Sequence, residues 1–214
     1  MRISFLCSDE QHPVNDHLLK WISEQQGQHQ IELVRQKNEL SGGDMLFLIS
    51  CSEIIGSEDR SAYRASLVLH ASDLPRGRGW SPHIWQIIAG ANEVTVSLLE
   101  AEDKVDSGRI WRKVKSPIPK HALWDEINEH LFNLEIELIN FAVSEFENVR
   151  PAEQDLSIET SYYPRRTPFD SKIDPDESIA SQFDKIRVCD PNRFPAFFEL
   201  HGQKYKIILE KMSG

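Results

Sequence analysis

Residues 66–82, Ser-Leu-Val-Leu-His-Ala-Ser-Asp-Leu-Pro-Arg-Gly-Arg-Gly-Trp-Ser-Pro, restrict the possible folds more than any other stretch. Leu67, Val68 and Leu69 form an apolar run long enough only for the end of a buried strand. The pattern breaks at His70, and 71–81 is rich in Gly, Pro, Ser and Arg, which is loop chemistry. Ile84, Trp85, Ile87 and Ile88 then fit one helical face, with Ser81 placed to cap that helix and Pro82 at its first position. A titratable side chain therefore stands where a buried strand opens into a glycine-rich loop. In open parallel sheets that edge is where ligands bind. Residues 92–99 alternate, with Val94, Val96 and Leu98 on one face, and read as a strand. That strand leads to Asp106 just before a Ser-Gly turn, so His70 and Asp106 form a candidate acid–base pair.

The rest of the chain supplies the sheet this edge needs. Residues 2–7, 31–34 and 44–50 read as strands, the last a continuous apolar run suited to cover on both faces. Between the first two, 14–26 is a helix with Val14, Leu18, Trp21 and Ile22 inward. Strand–helix alternation predicts an α/β, Rossmann-like, doubly wound and mostly parallel sheet. Residues 110–114 continue it, and 122–148 is a long amphipathic helix carrying Leu123, Ile127, Leu131, Leu134, Leu138, Ile139, Ala142 and Phe146. The composition then turns polar and Pro-rich, which divides the chain into a core over 1–150 and a small α+β appendage over 151–214. That appendage holds a helix at 178–188 and a hairpin around His201-Gly202-Gln203.

Composition narrows the partners. A net charge of −10, with Lys and Arg scattered, is poor footing for a nucleic acid. No stretch approaches the ~20 apolar residues that span a membrane. Cys7, Cys51 and Cys189 lie in or beside apolar runs without metal-ligand spacing, which suits buried thiols in a cytoplasmic, reducing compartment and predicts no metal. Either the long helix or the hairpin offers a face for a homodimer.

His70-Ala-Ser-Asp-Leu-Pro-Arg-Gly-Arg-Gly-Trp-Ser-Pro-His-Ile-Trp resembles the His-x-Ser-x-Leu-Pro…Arg-Gly…Pro signature of formyltransferases that use 10-formyltetrahydrofolate. Val105-Asp-Ser-Gly-Arg-Ile looks like their Asp-Thr-Gly-Asp-Ile loop, in the right order and at the right separation. The resemblance is strong over 66–112. Tyr163-Pro-Arg-Arg-Thr-Pro-Phe-Asp and Ile186-Arg-Val-Cys-Asp-Pro…Phe194-Pro-Ala-Phe-Phe look like the C-terminal region of members acting on UDP-linked 4-amino sugars.

The resemblance implies catalytic roles for His70 and Asp106, with N10-formyltetrahydrofolate as formyl donor and a UDP-linked amino-deoxysugar as acceptor. It implies that the pterin lies along Glu100, Ala101, Glu102, Asp103 and Val105, mostly on backbone groups. Arg76 and Arg78 form an anion-binding turn in outline; Arg165, Arg166 and Arg187 are placed for a diphosphate, and Tyr163 or Phe194 for a uracil. Trp85 reads as core. Val68 departs from the family's Asn-x-His pattern and cannot donate a hydrogen bond to the formyl oxygen. Ser50, Ser72 or a backbone N–H are the candidates to replace it. The alternatives are a methionyl-tRNA formyltransferase-like enzyme and a non-catalytic folate- or nucleotide-binding relative.

Overall fold

A computed structural model describes residues 1–212. Six strands, β1 (Arg2–Leu6), β2 (Gln30–Val34), β3 (Gly43–Leu48), β4 (Tyr63–His70), β6 (Glu93–Glu100) and β7 (Ile110–Pro117), form one sheet in the order β2-β1-β3-β4-β6-β7. The first four run parallel, and β6 and β7 are antiparallel to their neighbours. The mostly parallel α/β sheet expected from the sequence is present. The antiparallel return through β6 places the end of β4, where His70 sits, beside the middle of β6, with His70 opposite Ser97.

Cover is uneven. One face carries Ile3, Phe5, Met45, Phe47, Ile49, Leu67, Leu69, Val94, Val96 and Leu98, packed under α1 (Val14–Gln25), α3 (Pro82–Ile88) and α4 (Trp124–Glu145). Val14, Leu18 and Trp21 recur at helical spacing on α1, and Trp21 Nε1 donates to Asn140 Oδ1 of α4 at 2.7 Å. The other face has a smaller cluster of Leu6, Leu46 and Leu48, covered by Ile55, Tyr63 and the surroundings of the short α2 (Ser57–Ser61). Residues 35–42, where a full helix would complete a two-sided winding, hold only a 3₁₀ turn at Lys37–Glu39.

The segment after 150 does not stand apart. Ile173, Ile186, Val188, Cys189 and Ala196 belong to the same apolar cluster as the sheet, and α5 (Ile179–Arg187) packs on α3. β9 (Ala196–Leu200) and β10 (Gln203–Ile207) form the expected hairpin, with His201 and Gly202 both at positive φ (52° and 76°), the backbone a tight right-twisting turn requires.

Glu135 of α4 is buried, with Oε2 lacking a hydrogen-bond partner among the described residues, and burial pushes its carboxyl up to about 8.

Candidate active site

His70, the last residue of β4, is buried at the carboxyl edge of the parallel strands. Its Nε2 lies 2.8 Å from Gly77 O. A carbonyl can only accept, so Nε2 carries the proton in that bond and Nδ1 is left as the acceptor nitrogen of the ring. Nδ1 faces Asp106 Oδ1 at 3.5 Å, and Asp106 is buried as well. The histidine and aspartate that are 36 positions apart by their numbers thus meet as one pair.

Backbone chemistry holds the pair. Gly79 N–H donates to Asp106 Oδ2 at 2.9 Å, while Asp106 itself adopts a left-handed backbone with φ 55°. Gln154, also buried, donates through Nε2 to the carbonyls of Asp106 and Gly108 at 2.9 Å each, and its Oε1 accepts from Arg78 Nη2 at 2.8 Å. Around the loop, Gly77 N–H donates to Ser161 Oγ, and β5 (Arg78–Gly79) pairs with β8 (Tyr162–Tyr163). Gly79 has φ +94°, and a Cβ there would lie 2.4 Å from Tyr163 O. Gly79→Ala is therefore expected to lower stability by about 3 kcal/mol from backbone strain and overpacking. Thermal denaturation checks this, and displacement of the loop, which carries the Gly79 N–H away from Asp106 Oδ2, should weaken activity in parallel.

Several sequence-predicted residues take other places. Ser72 is fully buried and its Oγ donates to Arg76 O at 2.9 Å, so the hydroxyl is occupied within the loop. Arg78 is buried against Gln154 and serves the Asp106 turn rather than an open anion site. Arg187 is buried with Nη1 on the carbonyls of Pro119 and Ala122 and Nε on Asp184, so it does not present a guanidinium to a diphosphate. Ser81 sits at the start of α3 in a left-handed backbone (φ 46°) and makes no side-chain cap; Pro82 does occupy the first turn. Trp85 is half-buried rather than core, donating through Nε1 to Pro164 O at 3.1 Å and stacking on Tyr163 with centroids 6.4 Å apart.

Arg76 and Arg165 are exposed, and Arg165 lies 5.0 Å over the ring of the exposed Trp80. Arg166 donates to Ser171 Oγ at 3.1 Å while its Nε is buried without a partner. Phe194 is exposed under the Arg193 guanidinium, and Arg193 pairs with Asp9. Ser50 follows β3 and contacts His12, with Oγ 3.1 Å from Nε2. His12 and His83 escape the sequence reading, as do Gln154 and Ser161. Burial, then the unfavourable proximity of His12, His70 and Arg166, push His83 down to about 3. Burial and Arg193 bring His12 down to about 4.

On the other side of Asp106, Glu100 takes a bidentate ion pair from Arg109 (2.6 and 3.0 Å), and Ala101 N–H donates to Ser66 O at 2.8 Å. Glu102, Asp103 and Val105 are exposed. Glu102 and Asp103 line, with Lys104, Ser107, Gly108 and Arg109, a cavity of about 340 Å³. A larger, shallow hollow of about 890 Å³ lies over α4 and β7 and includes none of the residues above that surround His70.

The sequence profile described as formyl transferase matches residues 4–143. The chain belongs to the formyl transferase family. Among curated relatives of this formyl transferase, the methionyl-tRNA formyltransferase of Rickettsia typhi is 31% identical over 144 residues, covering 67% of the chain and 46% of that protein. The chain thus spans less than half of that relative's length. Solved structures share the fold. A methionyl-tRNA formyltransferase from Clostridium thermocellum gives a TM-score of 0.83 at 22% identity, covering 100% of this chain and 94% of that one. HypX from Aquifex aeolicus in complex with tetrahydrofolic acid gives 0.79 at 22%, covering 95% and 36%. A sugar N-formyltransferase from a Shewanella species gives 0.70 at 14%, covering 100% and 99%.

Proposed function

We propose that this formyl transferase moves the formyl group of N10-formyltetrahydrofolate to the amine of a UDP-linked amino-deoxysugar. The observation that carries the acceptor is the open ledge on the loop that clamps the acid–base pair: Trp80 under Arg165, with Tyr163 and exposed Arg76 nearby. Guanidinium groups beside exposed aromatic faces suit a nucleoside diphosphate. Donor binding is supported by the open 101–105 loop, its adjoining cavity, and Ser66 Oγ, buried beneath it without a partner. The backbone of Ala101–Val105 would hold the donor there, and the donor supplies an activated formyl group.

The acceptor amine's lone pair forms the new C–N bond at the formyl carbon while the carbonyl π pair moves to oxygen. The bond from that carbon to the donor nitrogen then breaks, its electron pair staying on the nitrogen. The amine loses one proton and the donor nitrogen gains one. Asp106, oriented by Gly79 N–H, takes the amine's proton, and His70 relays it from the other side of the 3.5 Å contact. The fixed loop keeps both groups in place before substrate arrives, so little reorganisation accompanies the reaction.

Methionyl-tRNA is the second acceptor reading, favoured by the curated relatives. The charge of −10 disfavours it, since each phosphate contact needs a cation. Incubation with N10-formyltetrahydrofolate and either a UDP-4-amino-4-deoxysugar or methionyl-tRNA separates the two. The formylated sugar is expected; formylated methionyl-tRNA, formed with a steep salt dependence, would overturn the sugar assignment.

A further inference from the structure

We propose that the Ser50 hydroxyl, held by the His12 imidazole, donates the hydrogen bond that stabilises the formyl oxygen as charge develops on it. The inference rests on the formyl-transfer reading above. Attack on a formyl carbon places negative charge on oxygen, and a preorganised donor at that point is a large part of acyl-transfer catalysis.

The nearby side chains narrow the choice. Val68, two residues before His70 on β4, packs on the smaller apolar cluster and has no donor. Ser72 is enclosed and bonded to Arg76 O. His70 Nε2 is tied to Gly77 O, and its Nδ1 faces Asp106. Ser50 is different on each count. Leu48 of β3 registers with Val68 of β4, so the chain leaves β3 toward Ser50 at the same carboxyl edge where β4 ends in His70. Ser50 is exposed and adopts φ 47°, a left-handed backbone that non-glycine residues rarely take.

His12 fixes the direction of the hydroxyl. Its Nδ1 accepts from Val14 N–H at 3.3 Å, which leaves the proton of the neutral ring on Nε2. Nε2–H therefore donates to Ser50 Oγ at 3.1 Å, and the serine's own proton is free to point away, toward substrate. The imidazole is itself held. Phe132 meets its ring edge-on at 5.8 Å, and Asn15 Nδ2 knits the 9–12 loop by donating to the carbonyls of Asp9, Glu10 and His12. Ser50 is thus a candidate catalytic residue and His12 its positioning residue.

Steady-state kinetics with N10-formyltetrahydrofolate and a UDP-4-amino-4-deoxysugar test the assignment. Ser50→Ala should lower kcat about a hundredfold with the donor KM nearly unchanged, the loss typical of one oxyanion donor. Ser50→Asn, which keeps a donor and tolerates the left-handed backbone, should retain most of the rate. Adding Val68→Asn to Ser50→Ala should recover part of it. His12→Phe should also lower kcat, and His12→Phe/Ser50→Ala should be no slower than Ser50→Ala alone, because His12 acts only through the serine. Ser50→Ala at the wild-type kcat would overturn this assignment alone. A wild-type protein that transfers formyl to no acceptor would overturn it together with the formyl-transfer reading.

Discussion

His70→Ala is expected to lower kcat about a thousandfold while leaving donor and acceptor KM within a few-fold of wild type. Positioned proton transfer contributes roughly 10²–10⁴ in rate, and His70 is the imidazole in contact with the buried carboxylate. Its ring nitrogens bond inside the protein, to Gly77 O and toward Asp106, so its removal should disturb chemistry more than binding. Asp106→Asn is the companion test. Asparagine tolerates the left-handed backbone at φ 55° and can still accept from Gly79 N–H, so the loop should keep its shape while the proton acceptor is lost. A similar fall in kcat with an unchanged melting temperature is expected. Full activity in His70→Ala would contradict the proton-transfer role of His70, whereas a wild type that binds its ligands without turnover would support a non-catalytic relative.

The second large effect is on stability. Glu135 has a folded-state pKa of about 8 against an ordinary 4.5, caused by burial without a partner. The sign follows from linkage. The folded state keeps the proton that the unfolded chain releases, so the protein is most stable below pH ~4.5 as far as this group is concerned, and loses stability as pH rises toward ~8. Each unit in that window costs up to about 1.4 kcal/mol, which makes the burden on the order of 3 kcal/mol at pH 7. Glu135→Gln keeps the shape without the titration. It should raise the melting temperature at pH 7 by about 5–10 °C and change it little at pH 5. Thermal denaturation at the two pH values measures both. An unchanged or lowered stability at pH 7 would mean that Glu135 has a partner beyond those seen, or that the core fails to accept the amide.

Much of the scaffold is written locally. The alternation in β6, the continuous apolar run of β3 and the helical spacing of Val14, Leu18 and Trp21 each determine an element within a dozen residues. His70 and Asp106 are legible because each sits in a short motif, His70 at the end of β4 and Asp106 in the turn between β6 and β7. The device that joins them is not. Ser161 lies 84 positions from Gly77, and Gln154 lies 48 positions from Asp106. A polar residue in an irregular segment gives no local sign of the carbonyl it will meet. Arg187 shows the converse error, since a cation near an aspartate in a short helix looks free until the carbonyls of Pro119 and Ala122 surround it. Ser81 makes no side-chain cap because its backbone is left-handed rather than the extended conformation a capping residue takes. His12 carried no motif at all, and its meaning comes only from the hydroxyl it holds.

We propose that the His70–Asp106 edge binds a formyl-carrying folate next to a nucleotide-bearing acceptor. Calorimetric titration with unreactive 5-formyltetrahydrofolate, in the absence and presence of UDP, tests it most directly. Folate binding that tightens when UDP is present is expected, because both ligands meet one preorganised loop. No folate binding under either condition would contradict it.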